Sequence, residues 1–266
     1  MRYMLDVLGL AVAAGMSATA DTLDAQAIPG TQLTIDVRVV NVTTTNGITR
    51  VSYELANRAS SREQVLMFIV DAPAGIPDVE TPTPVDDWTT NTQLGSRTVA
   101  LWGVLGAELR PGTKGPTLSL SGEGIPGFVR YWVQGDSPVP AVLNTDVGDV
   151  PPTSPLAAGQ SVQGSTVGVV AAPADQSPGA LTSRLREQLQ TACGTNGLIT
   201  NQGICSALQE KLDTAAAAIG LGNAVLAREA FGSLLNQLAA QRGKQIPEVA
   251  YQLIRASVEA ILAGVL

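Results

Sequence analysis

Two periods divide the chain. From Thr31 to about Ala172 apolar residues recur at every second position, and from Leu181 to the last residue they recur at every third or fourth. Leu33, Ile35, Val37 and Val39 alternate with Thr34, Asp36 and Arg38, and beyond Asn46-Gly47 the residues Val51, Tyr53 and Leu55 alternate with Ser52 and Glu54. Successive side chains of a strand point to opposite faces, so this period marks strands with one buried face, and Asn-Gly suits the positive φ angles of a two-residue turn. A hairpin is predicted there. Val65 to Val70 is a nearly continuous apolar run, Arg97 to Val104 is another, and Thr117 to Ser121 is shorter. Phe128 to Gln134 is rich in β-formers, and Gln160 to Val170 reads as one more strand. Strands in succession with no helical period between them predict an all-β antiparallel sandwich of the immunoglobulin or fibronectin type III kind.

The second period predicts a small all-α helical bundle. Leu208, Leu212, Ala215, Ala216 and Ile219 make one stripe; Phe231, Leu234, Leu235 and Leu238 a second; Leu253, Ile254, Val258, Ile261 and Leu262 a third. Before them, Leu181 to Ala192 reads as a first helix with Leu185 and Leu189 on one face and Thr182 or Ser183 as its N-cap. Gly220 and Gly222 sit in one turn, Gly243 stands as a C′ glycine, and Pro247 falls at the first turn of the last helix. The expected organisation is a signal peptide over 1–20, a sandwich over 21–173, a linker over 174–180 and a helical bundle over 181–266.

The run Gly197-Leu-Ile-Thr-Asn-Gln-Gly-Ile-Cys205, with Lys211-Leu-Asp213 and Gln241-Arg-Gly-Lys-Gln-Ile246, resembles the C-terminal FIMAH-type helical module of secreted bacterial proteins. The resemblance covers roughly residues 181 to 266. It implies an extracellular accessory domain, of a kind found beside hydrolases and binding modules, and carries no catalytic residue over. Tyr53 to Ser61, Trp102, Arg110-Pro-Gly112, Gly124-Ile-Pro-Gly127 and Tyr131-Trp-Val-Gln-Gly135 are similar to a β-sandwich of secreted bacterial proteins.

Composition narrows the function. The chain has no histidine, which removes Ser-His and Cys-His nucleophile pairs, the commonest general base near neutral pH and the usual zinc ligand. A net charge of −7 argues against nucleic acid and anionic membrane surfaces, which need a basic patch. Arg2, the apolar run Leu8 to Met16 and Ala18-Thr-Ala20 fit an export signal, so a secreted, periplasmic or cell-surface bacterial location is expected. No later apolar run is long enough to span a bilayer, so no transmembrane segment is expected in the mature chain.

Candidate chemistry is sparse. Asp86-Asp87-Trp88 combines acceptors with a flat ring, as a sugar-binding site does, and is the candidate ligand site; the competing reading is a solvated loop whose Trp caps the sandwich edge. Trp102 and Trp132 are expected in the core. Asp71, Asp78, Glu80, Asp86 and Asp87 could gather around Ca²⁺, although their spacing follows no EF-hand pattern, and neither a metal nor a cofactor is expected. Cys193 and Cys205, the only two cysteines, lie beyond the export signal at two helix ends and are expected to form a disulfide; two buried free thiols are the alternative. The reading is a non-catalytic binding module whose partner is an extracellular glycan or an envelope protein. A carboxylate-based hydrolase and a structural component of an envelope or matrix assembly are the alternatives.

Overall fold

The computed structural model describes residues 31–82, 87–104, 109–136, 161–194 and 197–264. The expected signal peptide lies outside them. The strands are β1 (Ile35–Thr45), β2 (Ile48–Asn57), β3 (Val65–Asp71), β4 (Asp78–Glu80), β5 (Trp88–Leu94), β6 (Arg97–Val104), β7 (Lys114–Glu123), β8 (Ile125–Gly135) and β9 (Val162–Val170). The helices are α1 (Pro178–Ala192), α2 (Gln202–Gly220), α3 (Ala224–Gln241) and α4 (Glu248–Gly264). All strand pairings between them are antiparallel, in a four-stranded sheet ordered β1-β2-β7-β4 and a five-stranded sheet ordered β5-β6-β3-β8-β9. The fold is thus the predicted sandwich followed by helices.

The alternation in the sequence becomes the interior. Val51, Tyr53, Leu55, Leu118 and Leu120 of one sheet meet Phe68, Val70, Trp102, Val133 and Val167 of the other in one buried cluster. Asn46 and Gly47 both have positive φ, at 53° and 77°, as the β1–β2 turn requires. The continuous apolar run of β3 has a different cause. Phe68 and Val70 face the sandwich interior, whereas Ile69 joins Val99, Leu101 and Trp132 in a second cluster. Neighbouring residues of a strand face opposite ways, so β3 is covered on both faces and loses its polar positions.

Three local features depart from expectation. The strand β5 begins at Trp88, where a loop is expected, because Thr-Thr-Asn-Thr-Gln is polar on both faces and shows no alternation. Strand β4, at three residues, is too short to show a period. Helix α1 starts at Pro178, inside the expected linker: Ser177 is its N-cap, with Oγ accepting from Ala180 N at 3.3 Å, and Pro178 occupies the first turn. Thr182 and Ser183 bond back to the carbonyls of Pro178 and Gly179 instead of capping.

The helices are built against the sheets. In β1 the register slips between Val39 and Asn41, so Val39 and Val42, three residues apart, both turn inward and the Val40 carbonyl leaves the ladder. Helix α4 lies over this strand. Gln252 Nε2 donates to Val40 O at 3.3 Å, and Arg255 Nη2 donates to Val42 O at 3.2 Å. Leu253 and Ala256 of α4 belong to the sandwich cluster, while Leu185, Leu208, Phe231, Leu234, Ile254 and Val258 form the bundle's own. A buried polar chain crosses the same seam: Ser257 Oγ donates to Gln188 Oε1 at 3.0 Å, and Gln188 Nε2 donates to Pro126 O at 2.7 Å.

Candidate functional site

The residues singled out in the sequence do not converge. Trp88 is 4% exposed and packs in the sandwich cluster. Stacking on a sugar needs a ring face open to solvent, and this ring spends its faces on the interior. Asp87 beside it is half-buried, and Asp86 lies outside the described residues. Trp102 and Trp132 are buried as expected, though in different clusters: Trp102 faces the sandwich interior and donates from Nε1 to Glu80 O at 3.0 Å, whereas Trp132 lies under the Arg97 guanidinium, 5.1 Å from its ring.

The acidic residues are dispersed as well. Asp71 pairs with Arg97 of the neighbouring strand at 3.3 Å and Glu80 with Arg50 across the intervening β7 at 2.5 Å, while Asp78 is exposed. The gathering around Ca²⁺ open to these residues in the sequence is not found: among the described residues no group of three or more His, Cys, Asp or Glu side chains is placed to hold a metal ion. No helix among those residues is long and apolar enough to cross a membrane.

Cys193 and Cys205 are joined, with Cα atoms 5.9 Å apart. Cys193 caps the end of α1 and Cys205 lies in the first turn of α2, whose N-cap Asn201 accepts from Ile204 N at 3.2 Å. The loop between them folds back on α1 through Ile199 N to Ala192 O at 2.8 Å, and Ile199 is fully buried. Both cysteines are buried, so the bridge staples two helix ends.

A concave surface lies at one end of the sandwich, where the β1–β2 turn, the β7–β8 turn and the β3–β4 loop come together beside the ends of α1 and α4. Two adjoining depressions of about 540 and 640 Å³ share Ile48, Ala74 and Glu123 as a common wall and form one trough. The first also has Asp71, Ile76 and Asp78; the second runs to Leu181, Ala260 and Ala263. Ile76 is 73% exposed and Ile48 43%, large apolar side chains open to water at the lip. Sequence reasoning passed over both. Ile48 carries a signal nonetheless, since it has the parity of Arg50, Ser52 and Glu54 on the polar face of β2, while the polar Thr49 is the buried one.

No protein-family model matches the chain, and no curated protein matches it. Among solved structures it is similar to one described as "Crystal structure of an uncharacterized protein from Nocardia farcinica reveals an immunoglobulin-like fold", with 14% sequence identity over 53% of this chain and 98% of that one, at a TM-score of 0.30. At that score the overlap is slight, and the architecture stands on the strand pairing itself.

Proposed function

We propose that the chain is a secreted or cell-surface bacterial interaction module without catalytic activity, whose sandwich binds an extracellular partner through the turn-end trough. The helical part, with its likeness to FIMAH-type modules, is in this reading an accessory that buttresses the sandwich. The trough carries the proposal. It is concave, and large apolar side chains stand exposed at its lip, an arrangement that costs free energy in water and that a partner would cover. The disulfide supports an oxidising location outside the cytoplasm.

A hydrolase is the second reading, because Asp71, Asp78 and Glu123 line the same concavity. Asp71 is engaged by Arg97, which leaves Asp78 and Glu123 as the carboxylates such a reaction would use. One experiment separates the readings. Mature protein and its Ile76→Lys variant are applied to glycan and peptide arrays, and both are assayed for turnover of chromogenic glycosides. Binding that the variant loses, without turnover, is the expected result. Turnover abolished by Asp78→Asn or Glu123→Gln would replace the binding module with the enzyme. Binding that Ile76→Lys leaves intact would remove the trough from the proposal.

A further inference from the structure

Resting on the reading of the trough as a binding face, the chemistry of its lining narrows the partner. Ile48 and Ile76 supply apolar contact, and Ala74 and Gly75 supply a stretch of wall with little side chain, open at Gly75, against which another backbone can come close. Every charged side chain lining it among the described residues is acidic: Asp71, Asp78 and Glu123. Asp71 is paired with Arg97, but among the described residues neither Asp78 nor Glu123 has an ion-pair partner, and both are exposed. The far end is formed by the last turn of α4, at Ala260, Ala263 and Gly264, with no basic residue in that turn. That end carries partial negative charge, but the first turn of α1, at Leu181, lines the same depression with partial positive charge, so the field of the lining rests on the carboxylates. Nucleic acid and anionic lipid are repelled by such a surface.

The ladder points to an extended occupant. Strand β4 covers β7 only from Ser119 to Ser121, so on that side Gly122 and Glu123 have no strand beside them among the described residues. A segment entering there can continue the sheet while its side chains alternate between the trough and water.

We infer that the trough takes an extended segment of a partner protein in which large apolar residues alternate with lysine or arginine. The apolar residues seat against Ile48 and Ile76, and the cations meet Asp78 and Glu123.

The test uses the full mature chain and short fluorescein-labelled peptides read by fluorescence anisotropy. The probes are alternating Leu and Lys, alternating Leu and Glu, and alternating Ser and Lys. The Leu/Lys peptide is expected to bind, more weakly as salt rises, and the other two are expected to bind at least about tenfold more weakly. Ile76→Lys and the double variant Asp78→Lys/Glu123→Lys, all at exposed positions, are expected to lose the Leu/Lys peptide with the near-ultraviolet circular dichroism unchanged. A control reverses two exposed acids on the helices, Glu210→Lys/Glu229→Lys, and is expected to retain at least about half of the affinity. If the control loses as much as the trough variant, the attraction belongs to the net charge of −7 and the inference falls. It falls equally if the Leu/Glu peptide binds as well as Leu/Lys. If no peptide binds while a glycan or a zwitterionic vesicle does, and Ile76→Lys abolishes that binding, the partner class is overturned and the trough remains a binding face.

Discussion

Tyr53 ties the two sheets together through one oxygen. Its hydroxyl donates to Val167 O across the sandwich at 2.6 Å, and its fully buried ring stands edge-on to Phe68 and Trp102, with centroids 5.5 and 6.1 Å away. Tyr53→Phe keeps the ring and strands a buried carbonyl, so a loss of about 1–3 kcal/mol is expected, measured by denaturant unfolding near neutral pH. Burial also pushes the phenol well above its ordinary range. The neutral form is then favoured more in the folded chain than in the unfolded one. Stability from this group is complete below about pH 10 and declines above it, by up to about 1.4 kcal/mol per pH unit, as the unfolded chain ionises and the folded one does not. Tyr53→Phe should lose less stability between neutral pH and strongly alkaline pH than wild type; an equal loss would assign the alkaline decline elsewhere, for instance to Tyr131, which burial and then the Asp36 charge also raise. The inward parity of Tyr53 was legible from alternation. Its hydrogen-bond partner, 114 positions away, was not.

Elements differ in how their exposed backbone is managed. The edge strand β1 is sealed by α4, which supplies Gln252 and Arg255 to the Val40 and Val42 carbonyls. The edge strand β5 has no charged residue, but its register slips between Asn91 and Gln93, and Asn91 Oδ1 accepts from the backbone N–H groups of both Thr92 and Gln93. The slip interrupts the regular ladder along this edge, which blunts it. At the seam, Gln188→Ala would leave Pro126 O and Ser257 Oγ without their partner in a buried place; about 2–4 kcal/mol should be lost in denaturant titrations, against less than about 0.5 for Gln190→Ala on the exposed side of the same helix. The disulfide acts on another pair of elements. Closing a separation of 12 residues stabilises by about 3 kcal/mol in the chain-entropy model, so Cys193→Ser/Cys205→Ser should lower the unfolding free energy by about 2–4 kcal/mol. Thiol titration of denatured, unreduced wild-type protein should find no reactive thiol, and two per chain would overturn the bridge.

At the scale of the whole molecule, sandwich and helices share a cluster, because Leu253 and Ala256 of α4 are packed among sandwich residues and Phe128 of β8 touches both clusters. All three tryptophans lie in the sandwich, whereas the far-ultraviolet signal near 222 nm, a wavelength set by helices in general, reports on α1 to α4. Tryptophan fluorescence and helix circular dichroism are therefore expected to change together on unfolding. Leu253→Ala empties a fully buried site at the junction and should cost about 2–5 kcal/mol. Separate transitions in wild type would show that the seam does not couple the two parts. Legible in the sequence were the class of the elements and the order of all but β4 and β5, because period two and period 3.6 are written locally, in which neighbours along the chain share a face. So were the turns at Asn46-Gly47 and Gly243, whose positive φ values are a property of the residue. Only the tertiary structure decided where β5 lies, since a polar edge strand has no hydrophobic face to announce it, and that Trp88 is interior. It alone brought Ile48, Ile76 and Glu123 to one lip, because a concave surface is built from turns distant in the chain, each of which reads alone as an ordinary solvated loop.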